Sequence, residues 1–511
     1  MASLRRMTSN VAAQIFALAA SLTDRIVLVG LMLRHWGPDL FADYSVIQSA
    51  STLLLIAELG IQIYFQNAEQ AAFVTGNKTA FRRYAAIHLG IIATLVAALA
   101  LLLTLATLSG ATDRLLHLNQ IDTRAARVTL WFLAAGNLLT IVRSTTTSIY
   151  AATGNFAFTV VMTAVALIVT TLGSLLAVAL GAGPTSVAMI YFTISGAGSL
   201  AYFLLDVRRR FPDWVGGPAT PRLAELREAG VHLKWFSLQV VGPTVWLQAP
   251  VLIFSAWGVA GRDITSFLLI RTMVNQIRQA FQFATIGAGI EIAPLAHRGD
   301  ILGAWRLSAR VGLMTTVLCG ALVAAVLIFG ADVTRVWTGD ESLFSLPIAI
   351  YLLAPLLAVV CLQQPLALLQ YSNKSRVPGL QRLMQIVLGP LFCIIGQSLY
   401  GVTGLVVGLA ISEVIANWAL LPLLAEMTVF PGLMRYCLNS AGAAVAATAA
   451  GLVIGFALLR LAPATSIPAL GLDMALWTLL TLTPMMLATL PEPVRQSLWR
   501  LLRPAAKAPQ D

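Results

Sequence analysis

Apolar residues recur in long, nearly unbroken runs along this chain, separated by short segments rich in Gly, Pro or charge. A hydrocarbon core about 30 Å thick is crossed by roughly 20 apolar residues in helix, and each run is of that length. The pattern predicts fourteen helices, near 9–33, 39–64, 84–108, 126–150, 155–180, 184–206, 233–257, 263–296, 302–330, 344–371, 377–398, 402–425, 438–460 and 470–490. The fold class expected is therefore an all-α polytopic membrane protein. Arg5 and Arg6 followed by VAAQIFALAAS resemble the start of a secretory signal. The apolar run continues past Asp24 and Arg25 through IVLVGLML, which favours an uncleaved first helix.

The longest polar connection follows the sixth helix. It divides the chain into an N-terminal six-helix lobe (1–206), a cytoplasmic linker (207–232), a C-terminal six-helix lobe (233–425), two additional helices (438–490) and a basic tail (491–511). A faint repeat supports two pseudo-symmetric lobes. WGPDLFADYSVIQ from Trp36 and WGVAGRDITSFLLIR from Trp257 each open a second helix, while SIYAATGNFAF from Ser148 and ALLQYSNKSRV from Ala367 each close a fourth. An even number of spans per half gives the repeats a common orientation.

Composition adds to this picture. Of 511 residues, 58% are hydrophobic and 11% charged, too few polar groups to coat a soluble globule of this size. The net charge of +11 would suggest nucleic acid in a soluble protein. Here Lys and Arg fall mostly in alternate loops, roughly 22 against 7 if both termini are cytoplasmic, which is the topological bias of membrane proteins. No nucleic-acid partner is expected. Cys319, Cys361, Cys393 and Cys437 lie in or beside apolar runs without metal-ligand spacing and read as small core residues. His88 and His117 read as ordinary helix and loop residues.

The stretch from Leu33 to Ala68 contains Arg34, then Trp36-Gly37-Pro38, then an apolar helix closing on Glu58-Leu59-Gly60. Tyr44 adds an aromatic, and the eighth helix closes in EIAPLAHRGD with Pro294 and Asp300. These elements resemble the bacterial polysaccharide flippases of O-antigen and exopolysaccharide pathways. That family belongs to the superfamily shared by multidrug and toxin extruders, oligosaccharide-lipid flippases and lipid II flippases. Ala42 stands where the family often has glycine. The resemblance implies translocation of undecaprenyl-pyrophosphate-linked oligosaccharide across the inner membrane by alternating access. It also implies membrane lipid and a polysaccharide polymerase or assembly machinery as partners.

Charges inside the spans are the candidate site, because an arginine at mid-depth costs about 2.5–3.5 kcal/mol even on the lenient insertion scale. Arg271, Asn275, Arg278 and Gln282 are spaced four, three and four apart, which places them on one helical face. Arg25 and Arg143 add cationic positions in the other lobe. Guanidinium offers a pyrophosphate a planar, bidentate donor set, so these six residues are the substrate-binding candidates. The alternative is that each arginine pairs with a neighbouring carboxylate and locks helices together. Asp24, Glu58, Glu291 and Glu413 are the ion-coupling candidates, with a proton or sodium ion as the coupled species. The alternative for them is a static partner for arginine or, for Glu58 and Glu291, a place near the surface at a cytoplasmic helix end. Gln363 and Gln364 beside Pro365 are candidates for a cavity wall or for bonds between helices.

No cofactor or metal is expected, and no GxxxxGK[ST] loop occurs, which removes ATP as the direct fuel. The longest outer loop, SGATDRLLHLNQIDTRAAR, is about the length of an ordinary connection rather than a catalytic domain. A cation-coupled multidrug extruder is the alternative carrier. A multispan glycan polymerase or ligase is the alternative from a different class.

Overall fold

A computed structural model describes residues 2–58, 60–110, 112, 116–216, 223–371, 376–427, 430–461 and 467–489. The basic tail lies outside them. Helix α1 (Ala2–Thr23) runs without interruption through a π-helical turn at Asp24–Leu28 into α2 (Val29–Thr52). Inside α2 the backbone breaks at Gly37, at φ 75° and ψ 172°. That conformation favours glycine, and Pro38 follows with no N–H to offer a preceding turn. The motif Trp36-Gly37-Pro38 is thus the reversal between the first two passes. The second pass then tightens into a 3-10 stretch, Leu53–Glu58, turns at Gly60 with φ 70°, and resumes as α3 (Ile61–Val74).

The expected end at 64 is therefore too early by ten residues. Gln62, Gln66, Asn67, Glu69 and Gln70 give that stretch the look of a loop, but Ile61, Phe65, Glu69 and Ala72 are all buried on one face. Tertiary burial of that face outweighs the polar composition.

Helices α4 (Lys78–Leu108), α5 (Thr123–Ala152), α6 (Phe156–Ala179), α7 (Pro184–Tyr191), α8 (Ser199–Arg210) and α9 (Leu223–Ala256) follow. The start of α4 is capped by Asn77, whose side chain accepts from the Ala80 amide, and that of α5 by Asp122, which accepts from the Arg124 and Ala125 amides. A π-helical turn joins α7 to α8. Helix α9 begins at 223 rather than 233, so the second half of the expected linker is helical. Helix α5 packs against α2, α3, α4, α6, α7 and α8. That central position explains why it carries Asn137, Arg143 and many Thr and Ser residues rather than a lipid-facing apolar surface.

The remaining helices are α10 (Gly261–His297), α11 (Ile301–Thr338), α12 (Leu346–Tyr371), α13 (Arg376–Trp418), α14 (Leu421–Ala425), α15 (Leu433–Leu461), α16 (Ile467–Trp477) and α17 (Thr483–Thr489). Helix α13 is broken at Tyr400 and Gly401, and its halves return against each other with Gly396, Gly404 and Gly408 bringing backbone against backbone. Small residues allow that approach, as at many helix interfaces in lipid.

By contacts the chain forms two units. The first is Met1–Leu268 with Trp337–Leu343 and Gly379–Leu409. The second is Leu269–Val336 with Phe344–Pro378 and the C-terminal part from Ala410. The first unit has apolar clusters around Ile61, Phe65, Ile87 and Ile141 and around Phe81, Tyr150 and Phe203. The second is centred on Ala324, Phe329, Leu470 and Trp477, with the Trp477 indole donating to the Gly451 carbonyl at 2.9 Å.

Ten described helical stretches are long and apolar enough to cross a membrane. Two of them, Ala12–Glu58 and Arg376–Ala425, are 47 and 50 residues long, well beyond one crossing, and these are the two broken at Gly37 and at Tyr400-Gly401. Helix α10 and the stretch 467–489 are not among the ten, so the expected total of fourteen is not reached on this criterion. Leu101, Leu102, Leu105, Leu172, Leu176, Val453 and Phe456 are exposed along these helices, a surface suited to lipid rather than water. The protein is an all-α, multi-pass membrane protein.

Candidate functional site

The first unit has an open cavity of about 360 Å³ between α1, the 3-10 stretch, α3, α5 and α6. Its polar wall is made by Glu58, Gln62, Thr140, Arg143, Ser144, Thr147, Thr159 and Thr163, and its apolar wall by Leu55, Ile141, Phe156 and Leu167. One carboxyl group, one guanidinium and several hydroxyl-bearing side chains therefore line a single space. Glu58 is not at a surface helix end: the Gly60 turn and α3 carry the chain on past it.

Arg143 is half-buried and donates from Nη1 to Ser199 Oγ at 2.8 Å. Nearby, Tyr191 donates to Asn137 Oδ1 at 2.8 Å, and the Asn137 amide donates to Ser51 Oγ at 3.2 Å. The close approach of Tyr191 depends on Gly136, where a Cβ would stand 2.7 Å from the tyrosine ring. Asp24 accepts from Thr171 Oγ1 at 2.7 Å and lies within electrostatic reach of Tyr44 and Tyr191. Arg25 adjoins it, half-buried, in the same π-helical turn. Asp24, Arg25, Glu58 and Arg143 thus belong to one unit, with Glu58 and Arg143 on the cavity wall itself.

In the second unit, Arg271, Asn275 and Arg278 are half-buried along α10, while Gln282 is exposed. Arg278 and Glu413 form a fork: Nη1 to Oε1 at 2.6 Å and Nη2 to Oε2 at 2.7 Å. The Glu413 side chain is 3% exposed and that of Arg278 is 24% exposed. A residue expected to bind substrate and one expected to couple an ion are thus each other's partner. Glu291 falls within α10, and its side chain lies outside the described residues. Gln364 donates to Thr285 Oγ1 at 2.8 Å, a bond between helices.

Three buried carboxylates among the described residues escaped the sequence reading: Asp43, Glu69 and Asp473, the last 3% exposed on α16. Asp43 is 2% exposed and accepts from the amides of Asn119, Gln120 and Ile121 at 2.6–3.1 Å, which ties the segment after α4 to α2. Glu69 is fully buried beside His88, which lies on a helix as expected and is itself fully buried. The signal for Glu69 was its place four residues beyond Phe65 and eight beyond Ile61 on an apolar face. The four cysteines are buried and free, as expected of core residues. Among the described residues no group of three His, Cys, Asp or Glu could hold a metal ion.

No protein-family model matches the chain, and no curated protein matches it in sequence. Solved structures do match in fold. The lipid II flippase MurJ, in an inward closed conformation, is 12% identical, with a TM-score of 0.67 over 95% of this chain and 100% of that one. An inward-facing multidrug resistance MATE family transporter of the MOP superfamily is 14% identical, with a TM-score of 0.61 over 84% of this chain and 98% of that one. A Vibrio cholerae MATE transporter, a mutant of VcmN, is 15% identical, with a TM-score of 0.59 over 83% and 98%. At such identities the likeness speaks for architecture, and the chain shares the fold of these proteins.

Proposed function

We propose that the protein is a flippase that carries a lipid-linked oligosaccharide, built on undecaprenyl pyrophosphate, across the bacterial inner membrane by alternating access. Both termini are cytoplasmic in this reading. The observation that carries it is the extent of the likeness to the lipid II flippase, which spans 95% of this chain. The MATE transporters match over 83–84%.

The charge pattern supports an anionic, sugar-bearing cargo. Arg25, Arg143 and Arg271 supply guanidinium groups suited to a pyrophosphate, and Thr and Ser hydroxyls around Arg143 and Glu58 suit a polyol. Asn275 and Gln282 extend the Arg271 face. Arg278 reaches an anionic headgroup only by exchanging it for Glu413, so that pair is a switch between empty and loaded states in this reading. Asp24, Glu58, Glu291 and Glu413 are the candidates for coupling to a proton or sodium ion. A polysaccharide polymerase or assembly complex is the expected partner downstream.

The test is deletion of the gene, followed by extraction of polyprenyl-linked glycans and analysis of surface polysaccharide. Accumulation of lipid-linked glycan on the cytoplasmic side, reversed by the native protein but not by an Arg271→Glu variant of equal abundance, is the expected result. The likeness to MATE transporters favours one other reading, extrusion of small cations. It is supported instead if polysaccharide is unchanged and the deletion strain becomes sensitive to cationic dyes.

A further inference from the structure

Glu69 on α3, His88 on α4 and Ser148 on α5 meet where three helices of the first unit pack. The side chains of Glu69 and His88 are both 0% exposed, and Ser148 is equally buried. His88 Nδ1 lies 3.4 Å from Glu69 Oε1, and Ser148 Oγ donates to Glu69 Oε2 at 2.9 Å. The imidazole stacks on Phe65, with centroids 4.9 Å apart and planes 12° from parallel. Its Nε2 is buried and has no hydrogen-bond partner among the described residues.

This geometry admits two charge states. With Glu69 ionised, it accepts from Ser148 and from Nδ1–H of a neutral His88, and the group carries one negative charge. With one proton added, it lies on Glu69 Oε1 facing Nδ1 of the other tautomer, or the imidazole holds both of its protons; either way the group is neutral. No Lys or Arg is paired with Glu69 among the described residues, whereas Glu413 faces the Arg278 guanidinium. A buried charge in such surroundings is costly unless compensated, and a proton is the compensation at hand.

Glu58, on the cavity wall, lies within electrostatic reach of His88. Gln62, seven residues before Glu69 on the same face of α3, donates to Thr147 Oγ1 at 3.1 Å and to the Ser144 carbonyl at 3.3 Å. Thr147 lines the cavity and immediately precedes Ser148. Tyr64 on α3 and Tyr84 on α4 pack in the same layer, and Arg143 is the cation that α5 places at the cavity. Helix α9 also packs on α3 and has no ionisable residue between 237 and 256.

We infer that Glu69, His88 and Ser148 form a proton-binding site whose occupancy is relayed through the Gln62–Thr147 seam and Glu58 to the cavity. The inference rests on the reading of the protein as a carrier and gives that carrier a specific proton site. Proton uptake neutralises the group, loosens the hold of Glu69 on Ser148 and α5, and alters the field at Glu58. The cavity wall is thereby coupled to proton availability.

The test uses the full-length protein in lipid nanodiscs, with ¹⁵N-labelled histidine; the chain has only five. His88 is followed by NMR between about pH 5 and 8, the range in which histidine pairs commonly change state. In parallel, a cavity cysteine, Thr163→Cys, is labelled with a soluble thiol reagent at each pH, the native cysteines being buried. The expected result is one transition at His88, tracked by a several-fold change in labelling rate and abolished for both readouts in Glu69→Gln. A His88 signal unchanged across the range overturns the inference. So does a transition that persists unaltered in Glu69→Gln, or one that labelling does not follow. Neither readout needs a substrate, so failure here is distinct from failure of the flippase reading.

Discussion

Breaking the Arg278–Glu413 fork is expected to destabilise the second unit unequally from its two sides. Removing one member of a buried ion pair typically costs about 3–5 kcal/mol, because the survivor is left charged in a low dielectric. Glu413 is 3% exposed, whereas Arg278 is 24% exposed and has a long stem with which to reach polar surroundings. Arg278→Met, which strands the carboxylate, should therefore lie near the upper end of that range and Glu413→Leu near the lower. The double variant Arg278→Met, Glu413→Leu leaves no charge behind and should recover most of the loss, since apolar replacement of a whole buried pair is often neutral or stabilising. The interaction energy from the double-mutant cycle should be at least about 2 kcal/mol, within the upper part of the range for directly contacting residues. The assay is reversible unfolding of the purified protein by steric trapping in a fixed bicelle composition. Additive single effects, or a loss under about 1 kcal/mol for Arg278→Met, would refute the assignment of a locked pair.

Three further outcomes are expected. Asp43→Ala removes the acceptor for three backbone amides, and hydrogen bonds to a charged group contribute about 1.5–3 kcal/mol each; hydrogen exchange at Asn119–Ile121 should accelerate while α15 is unchanged. Gly404→Leu places a side chain where the Gly396 carbonyl packs, and overpacking of this kind costs about 1–3 kcal/mol; the melting temperature should fall, whereas Gly442→Leu, with open space around it, should leave it unchanged. The Lys78 ammonium, 2.9 Å from exposed Asp213, holds that carboxyl below the usual carboxylate range. The contact is present above the unfolded carboxylate value and is lost as acid protonates Asp213 through its lowered folded value. Lys78→Met should return the Asp213 titration, followed by carboxyl ¹³C NMR, to the ordinary range.

Sequence periodicity carried most of the architecture because a bilayer leaves backbone groups few ways to be satisfied: an apolar run of crossing length must be helix. The reversal at Gly37-Pro38, the break at Gly401 and the apolar surface of α4 follow from local chemistry alone. The candidate charges were legible for the same reason, since an ionisable residue in such a run stands out.

Which charge meets which was not legible. Arg278 and Glu413 are 135 residues apart, and only the packing of α10 against the second half of α13 makes them a pair. Glu69 read as part of a polar loop because periodicity weakens where a helix buries carboxylate and amide groups, and His88 gave no sign until α3 and α4 were packed together. Sequence by itself determined the solvent of this protein, the approximate place of its helices and those charges that interrupt an apolar run, all of which are set by transfer free energies acting residue by residue. Tertiary structure alone decided the partners of those charges and the cavity between α1, α3, α5 and α6, because both depend on contacts between helices distant in the chain.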